Sequence, residues 1–236
     1  MATSAPLSWP LSDVDGLMEL ARDEVHCWSV RLEITPGTCA ALSATLSPDE
    51  WIRSARMRSP QLQRRFIAAH GALRKLLGRY LGADPSELRF VHSEFGKPAL
   101  SGEGQFGGRL TFNLSHSADL ALIAIAPDAE IGVDLEHDRE EPEFAEIAQW
   151  FFAPAEVEEL NRLPSELRSR AFLSSWTRKE AYAKARGEGL RATNEVAQRP
   201  GWSLYSLQPA PGYVGALVVQ GSGWRVTQRF ASLDVQ

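Results

Sequence analysis

The 236-residue chain holds only two cysteines, Cys27 and Cys39. Two thiols give neither a disulfide framework nor a cysteine-based metal spacing, and a reducing cytoplasm is the expected setting. No apolar run approaches the roughly 20 residues that a membrane-spanning helix needs. The opening MATSAPLSWPLSDVDG lacks the basic stretch and apolar run of a secretory signal. Positive charge is not in excess: the net charge is −5, which argues against nucleic acid as the partner. No Walker-type glycine loop and no internal repeat is visible. What is present is 44% hydrophobic and 23% charged, the composition of a soluble globular protein. The length suits one large domain or two small ones.

Charge is unevenly placed. Between Trp51 and Tyr80 stand eight Arg or Lys and no acid; between Asp134 and Glu166 stand eleven acids and two Arg. Either run alone reads equally well as a solvated helix face. Together they suggest a positive region for an anionic ligand and a negative one for a cation or a basic partner.

Alternating segments predict strands over 24–34, near 89–92, over LTFNLSHS and LALIAIA, over IGVDLEHD, and through GWSLYSLQPAPGYVGALVVQ and WRVTQRF. Helices are expected from Ser47, with Pro48 and Glu50 completing a capping box, and over 59–82, where Leu62, Phe66, Leu73, Leu76, Leu77 and Tyr80 recur at helical spacing. GEGQFGG (102–108) reads as a loop. EFAEIAQWFFAPAEVEELNRL reads as two helices broken at Pro154, and the segment after it as a helix stopped by Gly187 and Gly189. The expected fold class is α+β, with two similar-sized lobes, residues 1–128 and 129–236, meeting near Pro127–Glu130.

Three carboxylates draw attention. In IGVDLEHD, Asp134 and Glu136 alternate with buried-type residues, so both point to one face of a strand, about 7 Å apart. In the last helix Glu180 falls inside the stripe of Phe172, Leu173, Trp176 and Ala183, with Lys184 one turn on. A carboxylate aimed inward is costly unless paired or bound to a cation. An acidic strand edge in water and a simple Glu-to-Lys helix pair are the plain alternatives. If the three acids converge, a hard cation suits them, and Mg2+ would share its shell with water and phosphate. Ser115 and His116, beside Asn113, are placed at the polar corner after a strand and carry the donors of a phosphate site. Lys97–Pro98 forms a turn after Gly96.

FGKPAL, FNLSHS, IGVDLEHD and WTRKEAYAKARGEGL, in this order and spacing, resemble the Sfp-type 4'-phosphopantetheinyl transferases over about Leu46–Val219. The helix LQRRFIAAHGALRKLLGRYLG and the segments WFFAPAE and PGYVGAL are similar to the family as well. The resemblance implies two related α+β lobes with the active site between them, in a monomer. It implies transfer of the 4'-phosphopantetheine arm from coenzyme A, with Mg2+, to a serine of an apo acyl or peptidyl carrier protein of fatty-acid, polyketide or peptide synthesis, releasing adenosine 3',5'-bisphosphate. It makes Asp134, Glu136 and Glu180 the metal-binding acids and Lys184 a phosphate contact at the reaction centre. Ser115 and His116 become phosphate contacts, Lys97 and Pro98 the border of adenine and ribose, and Arg53 and Arg65 the grip on the 3'-phosphate, with Arg56, Arg58, Arg64 and Arg74 as rivals. The family carries a basic residue in one member where this chain has Glu50. Glu180, directly or through a water, is the candidate general base, with a metal-bound water or another acid as the alternatives because a nearby cation lowers a carboxylate's pKa. A non-catalytic binder of coenzyme A or of carrier proteins, and a different Mg2+-dependent phosphotransferase, are the competing readings.

Overall fold

The computed structural model describes residues 8–10, 17–102, 108–139, 143–189 and 200–234. The chain runs β1 (Ser8–Pro10), β2 (Glu24–Arg31), α1 (Pro36–Ser43), α2 (Pro48–Ala55) and α3 (Pro60–Leu81). A 3-10 turn at Pro85–Glu87 leads to β3 (Phe90–His92), β4 (Pro98–Leu100), β5 (Thr111–Ser117), β6 (Leu120–Ala126) and β7 (Ile131–His137). Then come α4 (Phe144–Phe151), α5 (Pro154–Arg162), α6 (Ser165–Arg186), β8 (Trp202–Leu207), β9 (Tyr213–Gln220) and β10 (Arg225–Ser232). The α+β expectation holds. Most of the GEGQFGG loop lies outside the described residues.

The local signals act as their chemistry predicts. Ser47 Oγ accepts from Glu50 N while Glu50 Oε2 accepts from Ser47 N, a complete capping box on α2. Ser59 caps α3, which ends at Gly82 with φ +66°. Pro154 opens α5, and α6 stops at Gly187, also left-handed.

The strands form a five-stranded sheet in the order β1-β10-β2-β6-β5, a three-stranded antiparallel sheet β7-β9-β8, and the hairpin β3-β4. Period-two alternation assigns each strand's two faces. In β2, Trp28 and Val30 pack with Leu73, Leu76 and Leu77 of α3, whereas Val25 and Cys27 pack against Ile131, Val133, Leu135, Leu217 and Val219 of the smaller sheet. β6 is buried along its whole length because both its faces are covered. Beyond the smaller sheet lies α6, with Ala181, Tyr182 and Ala185 against Ala216 and Val218. The order of layers is therefore helix, sheet, sheet, helix.

By sequence the last strand falls in the second lobe, 129–236; β10 pairs in parallel with β2 and so completes the first sheet. Leu62 lies within α3, as its helical spacing predicts, and is 45% exposed; burial on that helix begins one turn later, at Phe66.

The join between α6 and β7 is very close. A Cβ on Gly132 would lie 2.1 Å from Ala181 O and 2.3 Å from Ala185 N, atoms of a rigid helix backbone. Only glycine admits this approach, two residues before Asp134. Gly132→Ala is expected to push α6 off the sheet and cost about 1–3 kcal/mol of stability, the usual range for overpacking, read as a lower urea midpoint. An unchanged midpoint would show that the helix can move without cost.

Candidate active site at the seam between the sheets

β5 ends the larger sheet and β7 ends the smaller one. Alternate residues of β5 bridge the seam. Asn113 Oδ1 accepts from Val133 N at 2.9 Å, Ser115 Oγ donates to Asp134 Oδ1 at 2.8 Å, and Ser117 Oγ donates to Glu136 Oε2 at 2.8 Å. The two strands are thus held by side chains in a regular ladder. Ser115 and His116 were expected at a corner after the strand; they lie within β5, and the turn itself is Ala118–Asp119, with Ala118 at φ +51°.

Because Ile131, Val133 and Leu135 face the larger sheet, Asp134 and Glu136 must face α6, which brings Glu180 and Lys184. Lys184 Nζ donates to Asp134 Oδ1 at 2.6 Å and to Ser115 Oγ at 3.0 Å. Asp134, Ser115 and Lys184 therefore close a triangle across three elements. The second carboxylate oxygen of Asp134 is buried without a hydrogen-bond partner. Glu180 and Glu136 both have pKa values raised from the ordinary carboxylate range. Burial is the main cause for each, and the charge of Asp134 adds to it. Ser117 opposes the shift at Glu136, and Lys184 opposes it at both. The acids expected from the sequence are thus close enough to repel one another. Among the described residues no three His, Cys, Asp or Glu side chains already stand as a complete metal-holding group. The donor set nevertheless fits a hard divalent cation: oxygen ligands only, one buried and unpartnered, and mutual repulsion that a cation would relieve.

Close to the acids is a group of basic side chains. His116 has its pKa lowered, first by desolvation and then by the nearby charges of His70, Lys184 and Arg65. Arg65 Nε is buried without a partner, although its far end lies 3.7 Å from Glu33. Arg53 lies over the ring of Phe66, 5.5 Å from its centre. It lines a cavity of about 620 Å3 together with Glu50, Arg89, Phe90 and His92. Neither Asp134 nor Lys184 lines that cavity. The rival Arg74 is 1% exposed and bound to Glu50, Pro85 O and Leu88 O, so it serves the interior. Lys97 is engaged within the protein: its Nζ donates to Glu130 at 2.6 Å and to Ala185 O, at the end of α6, at 2.8 Å. Pro98 opens β4.

Four contributors escaped the sequence reading. Ser117 supports Glu136, although period two along FNLSHS would have grouped it with Asn113 and Ser115. His70 stacks on Phe66 and its Nδ1 lies 3.3 Å from Glu50 Oε1. Burial raises the pKa of Glu50, but His70, the Ser47 amide and Arg74 outweigh it and bring the group down to about 2. Lys179, next to Glu180, is 1% exposed and donates to Glu156 at 2.9 Å. Glu156 also accepts from Ala153 N at the start of α5. A buried lysine could not be told from a surface lysine by spacing alone.

A profile of the 4'-phosphopantetheinyl transferase superfamily matches residues 130–213. The 4'-phosphopantetheinyl transferase HetI of Nostoc sp. is 40% identical over 220 residues, 88% of this chain and 92% of the relative. The 4'-phosphopantetheinyl transferase AcpT of Salmonella typhimurium is 37% identical over 155 residues, 66% of this chain and 74% of the relative. The 4'-phosphopantetheinyl transferase Sfp of Bacillus subtilis is 28% identical over 145 residues, 61% and 62% of the two chains. The fold and the matched segments define a transferase. The chain belongs to the 4'-phosphopantetheinyl transferase family.

The raised acids make a stability test with a definite sign. A carboxyl whose folded pKa is raised stabilises the fold while protonated, and that contribution is lost as pH rises past its unfolded value and through the folded one. Metal-free protein should therefore lose stability over that window. Glu180→Gln should lose less of it, so that its thermal midpoint exceeds that of the parent at neutral pH but not below about pH 4. Parallel pH profiles for the two proteins would remove the repulsion from the account.

Proposed function

We propose that this enzyme transfers the 4'-phosphopantetheine arm of coenzyme A to a serine of an apo acyl or peptidyl carrier protein, with Mg2+, releasing adenosine 3',5'-bisphosphate. The observation that carries the reading is the charge gathered at the seam: three mutually repelling carboxylates, Lys184 bound to one of them, and the basic side chains His116, Arg65 and His70 close by. Such a grouping suits a substrate whose pyrophosphate binds a divalent cation and basic side chains together.

Asp134, through its unpartnered oxygen, would hold Mg2+ with Glu136 and Glu180. The ion supplies neutralisation of the pyrophosphate charge. Every other task falls to the chain. Glu180 accepts the proton of the carrier serine, directly or through a water. The serine oxygen forms a bond to the β-phosphorus as the bond to the bridging oxygen of the adenylate breaks. Lys184 stabilises the charge that grows on the phosphoryl oxygens, and Ser115 holds that lysine and Asp134 in register. His116, Arg65 and Arg53 bind the phosphates of the nucleotide half, and the turn at Lys97–Pro98 borders the adenine and ribose. Lys97 does so as part of a fixed turn, since its ammonium is held by Glu130 and Ala185 O.

Incubation with coenzyme A, Mg2+ and an apo carrier should add the mass of one phosphopantetheine arm to the carrier. In single turnover, Glu180→Gln should fold, bind coenzyme A and lose at least about 100-fold in rate, the scale of general-base catalysis. Lys184→Ala should lose comparably, and the double variant less than the product of the two losses. A rate for Glu180→Gln close to that of the parent would move the base elsewhere. Binding of coenzyme A and carrier without any transfer would favour the non-catalytic reading.

A further inference from the structure

Helix α2 is built inside out. Its buried residues are Glu50 and Ser54, whereas Trp51 and Ile52 are 48% and 49% exposed. The polar side is inward for a stated reason: Glu50 anchors the buried Arg74 and meets His70. That leaves the apolar residues of the helix with nowhere to go but outward. The exposed apolar surface does not end with α2. Met57, in the link to α3, and Leu62, in the first turn of α3, are also exposed. Single exposed apolar residues are ordinary, but four within twelve positions, one of them an indole, mark a surface that meets something.

The charge of this surface says what it meets. Arg56 and Arg58 are exposed among these residues, and neither has an ion-pair partner among the described residues. No acid stands anywhere between Trp51 and Tyr80, in a chain whose net charge is −5. The second exposed tryptophan, Trp150 on α4, lies in the opposite setting, within the run of eleven acids from Asp134 to Glu166. An acidic partner would be drawn to the first surface and repelled from the second. An indole with arginines around it is also the composition of an interface centre.

We propose that the outer face of α2 with Met57 and Leu62 is the docking surface for the carrier protein, and that it receives an acidic amphipathic helix of that partner. The inference rests on the function proposed above and gives it a place of entry. Glu50 and Arg53 of the same helix line the 620 Å3 cavity, so a partner seated on α2 lies beside Arg53, which the function proposed above assigns to the nucleotide's phosphates.

The test compares Trp51→Ser, Ile52→Glu and Trp150→Ser with the parent. The parent is first shown to transfer the arm to an apo carrier; absence of transfer to any carrier overturns the proposed function, and the docking partner with it. Given transfer, Trp51→Ser and Ile52→Glu should each raise KM for the carrier at least about 10-fold, with kcat at saturating carrier and affinity for coenzyme A unchanged and Trp150→Ser close to the parent. Added salt should raise KM for the carrier in the parent, as expected of steering by Arg56 and Arg58. An unchanged KM in both α2 variants overturns the proposal, as does a rise in Trp150→Ser alone, which would put docking on α4. Sedimentation of the parent as a dimer that Ile52→Glu dissociates would also overturn it, because the surface would then receive a second copy of the chain.

Discussion

Asp134 is the point on which the site depends. One oxygen of its carboxylate is shared by Ser115 from the larger sheet and Lys184 from α6. The other is buried and unpartnered. A buried carboxylate in that state is expensive unless a cation completes it. The residues that could complete it in kind, Glu136 and Glu180, add repulsion instead. The seam thus gathers negative charge, and Lys184 offsets only part of it.

The architecture explains why so much charge can be kept there. Neither edge strand alone could fix Asp134. The ladder Asn113, Ser115, Ser117 joins β5 to β7 through side chains, and Gly132 lets the backbone of α6 reach van der Waals contact with β7. The inward residues of β7 bury Ile131, Val133 and Leu135 in the core between the sheets. Their burial sets the register, and the period of two then leaves Asp134 and Glu136 no direction but toward Glu180 and Lys184. Apolar packing on one side of the strand positions the charged groups on the other.

The sequence made the elements readable because their signals are local: the capping box at Ser47, the break at Pro154, the left-handed stop at Gly187. Asp134, Glu136, Glu180 and Lys184 were legible as well, since two periodicities and an out-of-place acid pointed to them. What escaped depends on distant pairing. Nothing within WRVTQRF says that β10 joins β2, more than 190 positions away along the chain. Ser117 and Lys179 resemble surface residues until their partners, Glu136 and Glu156, are known. Arg74 looks like a phosphate ligand in sequence and is an internal strut in the fold, because Glu50 lies opposite it. The same Glu50 turns α2 inside out, which no helical periodicity could have foretold.

The central claim is that the free oxygen of Asp134 awaits a divalent cation. Titration of the free enzyme with Mn2+, followed by the loss of the ion's paramagnetic resonance signal, tests it without reference to catalysis. The account predicts one site in the parent and at least about a 10-fold loss of affinity in Asp134→Asn, equivalent to about 1.4 kcal/mol, with the fold intact by circular dichroism. Equal binding by the parent and by Asp134→Asn would contradict it.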